Sequence, residues 1–260
     1  MLQFDEEASR RVVEAYSTPD VVAQRRVTLE ALQLESGERV LDIGAGPGML
    51  AADMARAVGP NGAVHGIDVS DSMLAIARGV QLGEGAAPME FVQGDACALP
   101  FDADSFDVAV STQVYEYVED IEAALAEARR VLRPGGRLLV LDTHWDSLVW
   151  HARDRARMAR VIAAWEEHLA HPGLPAALNG LLEDAGFAVR WRSAWTLLNA
   201  GWDEDAFSAR LVPTVAAYVP GHKYVTAADA EGWAQELSEL GREYFFSLTR
   251  YLFLAHVEAS

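Results

Sequence analysis

Three glycines at alternating positions follow a carboxylate in Asp42-Ile43-Gly44-Ala45-Gly46-Pro47-Gly48, directly after the apolar run Val40-Leu41. Glycines here let backbone approach a ligand that side chains would exclude. Gly48 opens a helix whose first free N–H groups and positive dipole end face that ligand. Asp68 stands twenty residues beyond Gly48, at the end of the next strand-like run. Backbone for one end of a ligand and a carboxylate for a pair of hydroxyls together describe a nucleoside.

These groups need a scaffold that brings loop ends together. Strand-like runs at 38–43, 62–67, 89–94, 106–111 and 136–142 alternate with helical patterns at 48–58, 71–82 and 119–132. Gly59-Pro60-Asn61-Gly62 and Arg133-Pro134-Gly135-Gly136 supply the turns. Such alternation with short connections implies right-handed crossovers and a parallel sheet. Ligands then bind at the carboxyl ends of the strands, where strand order reverses. Two helices, 8–16 and 20–35, precede the sheet; Pro19 starts the second, after the capping residues Ser17 and Thr18. Beyond 142 the pattern predicts a long helix over 145–170, a short helix over 175–185, a strand over 187–198, helices over 203–219 and 226–240, and a final strand over 244–254.

Composition bounds the chemistry. The chain of 260 residues, 51% hydrophobic, suffices for one large α/β domain with additions. It holds no apolar run long enough to span a membrane, and its acidic start lacks a basic-then-apolar leader, so a cytoplasmic location is expected. One cysteine, Cys97, excludes an internal disulfide and a cysteine-built zinc site. A net charge of −18 argues against nucleic acid or anionic membrane as partner. Lys223 is the single lysine against twenty arginines; a GC-rich genome and adaptation to salt both account for that. Monomer and homodimer are both compatible with the sequence.

The motifs resemble, in order and spacing, those of class I S-adenosylmethionine (SAM) dependent methyltransferases. Asp42-x-Gly44-x-Gly46-x-Gly48 is similar to their first motif, His65-Gly66-Ile67-Asp68-Val69-Ser70 to the second and Phe91-Val92-Gln93-Gly94-Asp95-Ala96 to the third. Phe106-Asp107-Val108-Ala109-Val110-Ser111 and Val131-Leu132-Arg133-Pro134-Gly135-Gly136-Arg137-Leu138 resemble the fourth strand and the turn into the fifth. The set spans 39–142 and is closest in flavour to the small-molecule branch with ubiquinone/menaquinone-type C-methyltransferases and natural-product methyltransferases.

The resemblance implies an α/β, Rossmann-like, seven-stranded sheet with helices on both faces, its last strand antiparallel beside the fifth. It implies a single domain over 1–260: N-terminal helices in 1–36, a SAM-binding core in 37–142 and an acceptor half in 143–260. The family's short hairpin between the last two strands is here about forty residues, which implies a helical lid at about 203–242. SAM is the implied cofactor and S-adenosylhomocysteine (SAH) its product. Gly44, Ala45, Gly46 and Gly48 would pass close to its methionine part, and Asp42 would hold the amino group. Asp68 would accept from both ribose hydroxyls. Asp95, after Gly94, would accept from the adenine amine, with the Ala96 N–H beside a ring nitrogen. Val69 and Met73 would pack on the adenine, Gln113 would present backbone, and Tyr16 would fold over the cofactor. Each carboxylate could instead cap a turn, and each apolar residue could be plain core.

For the acceptor, the resemblance implies in-line displacement, which needs positioning more than a nucleophile–base pair. A base would help with a phenol or an acidic carbon, and His144, two residues past Asp142, is the candidate. His144, Trp145, Trp150 and Tyr218 are the expected acceptor-site residues, suiting a flat aromatic ring or a cationic amine. No metal is expected, since nothing completes the His168/His171 pair. A small-molecule acceptor is preferred; a non-catalytic SAM-binding protein and a protein-modifying methyltransferase are the alternatives. A nicotinamide oxidoreductase is disfavoured because Met49 occupies the third-glycine position and no Tyr-x-x-x-Lys pair exists.

Overall fold

The computed structural model describes residues 6–258. Of the expected 1–260 domain, residues 1–5 and 259–260 lie outside the described residues. Helices α1 (Glu6–Tyr16) and α2 (Pro19–Leu32) precede an alternation of β1 (Arg39–Ile43), α3 (Met49–Val58), β2 (Ala63–Asp68), α4 (Asp71–Arg78), β3 (Met89–Gln93), β4 (Phe106–Thr112), α5 (Ile121–Val131) and β5 (Leu132–Thr143). There follow β6 (Val149–Trp150), α6 (Arg155–Trp165), α7 (Leu174–Asp184), β7 (Phe187–Ala200), α8 (Phe207–Tyr218), α9 (Ala227–Glu239) and β8 (Phe245–Val257).

One mixed sheet runs β3-β2-β1-β4-β5-β8, with β7 along the far side of β8 and the two-residue β6 prolonging the row of β5. Strands β1 to β5 are parallel, and β8 is antiparallel to β5 and β7. Seven long strands in this arrangement match the expectation; β6 is an addition. Strand order reverses between β1 and β4, so the crevice at their carboxyl ends is the natural ligand position. β1 sits at the centre, buried from Val40 to Ile43.

Alternation along β5 and β8 sorts their side chains into two layers. Leu139 and Leu141, with Leu252 and Leu254, join the core under α2 and α3. Leu138 and Val140, with Phe253 and Ala255, join the core under α5 and α7. This parity decides which residues at the strand ends can reach the site.

The helical insertion between β7 and β8 is present as α8 and α9. It is no bare flap. With α6 it builds a core of its own around Trp150, Trp165, Trp233, Val215 and Phe246. Arg160 meets Asp229 at 2.9 Å, and the Arg157–Glu236 pair also ties α6 to α9. A reciprocal Thr226–Asp229 capping box starts α9.

Three expectations need correction. Residues 145–170 are not one helix: Asp154 accepts from the Arg157 N–H at 2.9 Å and starts α6 there, while Val149 and Trp150 pair with β8. The helix expected over 71–82 stops at Arg78, where Gly79 follows. Thr18 does not cap α2 with its side chain; its hydroxyl donates to the Ala15 carbonyl at 2.7 Å instead.

Candidate active site

A cavity of about 590 Å³ opens at the carboxyl ends of β1, β2 and β4 and runs under α8, within the range usual for ligand pockets. Its two halves differ in chemistry. One is the glycine turn with its carboxylates; the other is walled by Tyr16, Trp145, Trp165, Phe207 and Leu211, with Arg250 among them.

The turn is held by β2. The Gly44 and Ala45 N–H groups both donate to the Ile67 carbonyl, at 2.7 and 2.9 Å, and the Gly46 N–H donates to Asp68 Oδ2 at 2.8 Å. These donors are spent inside the protein, so the turn offers close approach rather than free N–H groups. Gly44 has φ +72°, and a Cβ there would lie 2.1 Å from Val114 Cγ2. Gly46 has φ +52°, and a Cβ there would meet nothing within 4 Å. Gly44 is therefore required by packing, whereas the space at Gly46 is a cradle open to a ligand.

Asp42 is buried, and its Oδ2 has no hydrogen-bond partner among the described residues. Burial, aided by nearby Asp68, pushes its carboxyl up to about 7. An orphaned buried acceptor fits the ammonium of an amino acid moiety. Asp68 Oδ1 accepts from the Ser70 N–H at 2.8 Å. Each Asp68 oxygen thus holds one backbone donor and keeps acceptor capacity for a hydroxyl. Burial raises its pKa, against the lowering effect of these N–H bonds.

Asp95 caps the next turn by accepting from the Cys97 N–H at 2.8 Å, and it also lines the cavity with Gly94 and Ala96. The capping reading of Asp95 is thus observed, and its place in the lining leaves it available to a ligand. Met73 is buried in the wall, while Val69 is 58% exposed at the rim. Gln113 has φ +58° and donates its N–H to the Leu141 carbonyl; its buried Nε2 has no hydrogen-bond partner among the described residues, and the residue belongs to the cavity lining. Non-glycine backbone in this region stores strain and marks functional sites. Gly48 itself is not in the lining; at φ +77° it packs against Ala77 and Phe91 and turns the chain into α3.

The acceptor-side expectations divide. Trp145 lines the cavity, its Nε1 donating to Glu116 Oε2 at 3.1 Å. His144 does not: its ring lies 6.2 Å from that of Tyr251, on the face of β5 that carries Val140 and Asp142. Thr143, one residue earlier, pairs with Arg250 on the cavity face. Two-residue periodicity is the physical reason for that correction. Trp150 is also outside; it packs edge-on against Trp233 at 5.2 Å and Phe246 at 5.0 Å and donates to the Tyr244 hydroxyl. Tyr218 stacks on His222 at 4.4 Å behind Trp165, away from the lining. Among the described residues no cluster suits a metal ion.

Sequence reasoning missed a buried polar group behind the acceptor half: Gln24, Glu116, Tyr117, Asp142 and Arg250. Glu116 Oε2 accepts from Trp145 Nε1 and the Thr143 N–H, and Asp142 Oδ1 accepts from the Val114 N–H. Burial pushes Glu116 up to about 7 despite Arg250, and raises Asp142 well above the carboxylate range, with Glu116 adding to the shift. Arg250 was visible as the one charged residue in the run 244–254, which is otherwise apolar and hydroxylic.

Fold, site and sequence converge on one class: over its core this chain is similar to class I SAM-dependent methyltransferases. Residues 41–140 match the methyltransferase-domain family. Among its relatives in sequence are an uncharacterized 37.1 kDa protein in transposon TN4556 of Streptomyces fradiae, 40% identical over 170 residues, covering 64% of this chain and 48% of the relative. The ubiquinone/menaquinone biosynthesis C-methyltransferase UbiE of Pseudomonas putida is 45% identical over 119 residues, covering 45% of this chain and 46% of that enzyme. The chain thus spans about half the length of the curated relatives it matches. In fold it is similar to Haemonchus contortus phosphoethanolamine N-methyltransferase 2 in complex with SAM, with a TM-score of 0.61 at 19% identity over 99% of this chain and 58% of that one.

Proposed function

We propose that this protein transfers a methyl group from SAM to a small hydrophobic or aromatic acceptor held under α8. The observation that carries the reading is the continuity of one cavity. The same space touches Asp42, Gly46, Asp68 and Asp95 at one end and Trp145, Trp165, Phe207 and Leu211 at the other.

When bound, SAM supplies a methyl group activated on a sulfonium centre. Asp42 would hold its ammonium, Asp68 its ribose hydroxyls and Asp95 its adenine amine, with Gly46 giving it room and Val69 and Met73 flanking the ring. Tyr16, on α1, closes the other side. The chain's part in an in-line displacement is then positioning, and exclusion of water by the aromatic wall. No histidine lines the cavity among the described residues, which supports a reaction driven by placement rather than by an imidazole base.

The test is incubation with methyl-labelled SAM and small-molecule extract of the source organism, followed by mass spectrometry. A labelled small molecule together with stoichiometric SAH is expected. Binding of SAM without any labelled product would instead favour a non-catalytic SAM-binding role, and label on protein would favour a protein-modifying one.

A further inference from the structure

Arg250 is 3% exposed, yet it lines the cavity. It stands on β8, directly opposite Thr143 of β5, on the face that looks toward α2 and α8. Its Nη1 donates to Gln24 Oε1 at 2.5 Å, and its guanidinium lies over the Phe207 ring at 4.9 Å from the centroid. Its Nε is buried without a hydrogen-bond partner. Among the described residues no carboxylate forms an ion pair with it. A cation buried without a contacting anion is costly, and proteins keep one where something arrives to pair with it.

Among the described residues no neighbouring carboxylate touches the guanidinium; its hydrogen-bond partner is Gln24. Glu116 spends one oxygen on Trp145 and the Thr143 N–H, and burial raises both Glu116 and Asp142 above the ordinary carboxylate range although the Arg250 charge pulls each back down. Asp20 is engaged with Asn199 and the Phe207 N–H. Tyr16 and Tyr117 line the same cavity, and burial holds both phenols protonated. Gln24, Tyr16, Tyr117 and Arg250 therefore leave one positive charge, with neutral hydroxyl groups beside it, at the end of an apolar chamber.

We propose that the acceptor carries an acidic oxygen, a carboxylate or an ionised phenol, and that Arg250 is the specificity-determining residue that pairs with it. The proposal rests on the methyltransferase reading of the cavity. An aromatic or hydrophobic acid satisfies both ends of the chamber: the ring lies against Trp145, Trp165 and Phe207, and the anion meets the guanidinium, whose planar fork suits two oxygens.

The test uses the full chain saturated with SAH. SAH titration by calorimetry comes first, and its failure would count against the methyltransferase reading alone. Benzoate, cinnamate and 2-naphthoate are then compared with their primary amides, and 2-naphthol is titrated below and above its pKa. At least one acid should bind ten times more tightly than its amide, or ionised 2-naphthol ten times more tightly than the neutral phenol. That preference should shrink to within twofold in Arg250→Met, with SAH affinity unchanged. A preference for the acids alone assigns the carboxylate; a gain for ionised 2-naphthol assigns the phenolate. If Arg250→Met does not fold, Arg250→Lys is used, with the preference expected to fall at least threefold. The proposal is overturned if neither the acids nor ionised 2-naphthol binds the SAH-loaded protein. It is equally overturned if acids bind like their amides and ionised 2-naphthol like the neutral phenol, or if the preference survives loss of the guanidinium.

Discussion

Asp42 illustrates how one residue couples ligand and pH. Burial holds its carboxyl up to about 7, against about 4 for an aspartate in an unfolded chain. Between those values the ligand-free folded state binds a proton that the unfolded state releases, so stability falls as pH rises across the window. Glu116, also pushed up to about 7, acts with the same sign. Asp42→Asn should therefore raise the stability of the ligand-free protein by on the order of 2 kcal/mol at pH 8 and very little at pH 4; urea denaturation at the two pH values measures it. Wild type should gain SAM affinity as pH approaches 7, because an ammonium pairs with the carboxylate and not with the acid, and the same variant should lack that rise. The two glycines of the turn separate packing from binding. Gly44→Ala, facing Val114, should cost more than about 2 kcal/mol of stability. Gly46→Ala should cost about 1 kcal/mol for its left-handed backbone, but weaken SAM at least tenfold by filling the cradle; thermal melts beside calorimetry distinguish them. His144→Ala should retain near wild-type turnover once an acceptor is known, since its ring lies on the opposite face of β5 from the cavity; a hundredfold loss of kcat would restore it as a base.

At the scale of elements, α8 is the piece that joins cofactor core to acceptor wall. Its first turn lacks a cap of its own: Ala206 precedes it, and the Phe207 N–H is satisfied by Asp20 Oδ2 from α2 at 3.1 Å. Asn199, on β7, takes the Ser208 N–H and also donates to Asp20. Inside α8, Pro213 removes a helical hydrogen bond. The helix is thus pinned at its start by other elements and weakened in its middle. Asp20→Ala should cost about 1 kcal/mol and speed hydrogen exchange at the start of α8, leaving α9, with its own capping box, unchanged.

Over the whole molecule, the insertion is a small second core resting on the end of the sheet, and only its α8 side touches the cavity. Binding of SAH together with an acceptor should slow hydrogen exchange in α8 by tenfold or more and leave α9 and β7 alone. Uniform slowing of both helices would mean that the insertion moves as one body. The acidic total of −18 does not describe this interior: Arg11, Arg25 and Arg250 all line the cavity beside Asp42 and Asp68. No helix among the described residues is long and apolar enough to cross a membrane.

The alternation of strands and helices, the glycine turn, and the carboxylates that end β1 and β2 were legible because each rests on local chemistry: period, breaker residues and a motif confined to a few positions. The insertion was legible from length alone. The acceptor wall was not. His144, Trp150 and Tyr218 have suitable side chains at plausible distances along the chain, but strand parity turned the first away, β-pairing with β8 took the second and stacking on His222 took the third. Arg250 lies more than two hundred residues from Gln24 and Asp42 in sequence; only the antiparallel insertion of β8 beside β5 brings it to them. Local sequence sets which backbone shapes are affordable, and so it determined the fold class and the cofactor turn. Which side chains share a buried space depends on non-local pairing and register, and that the tertiary structure alone decided.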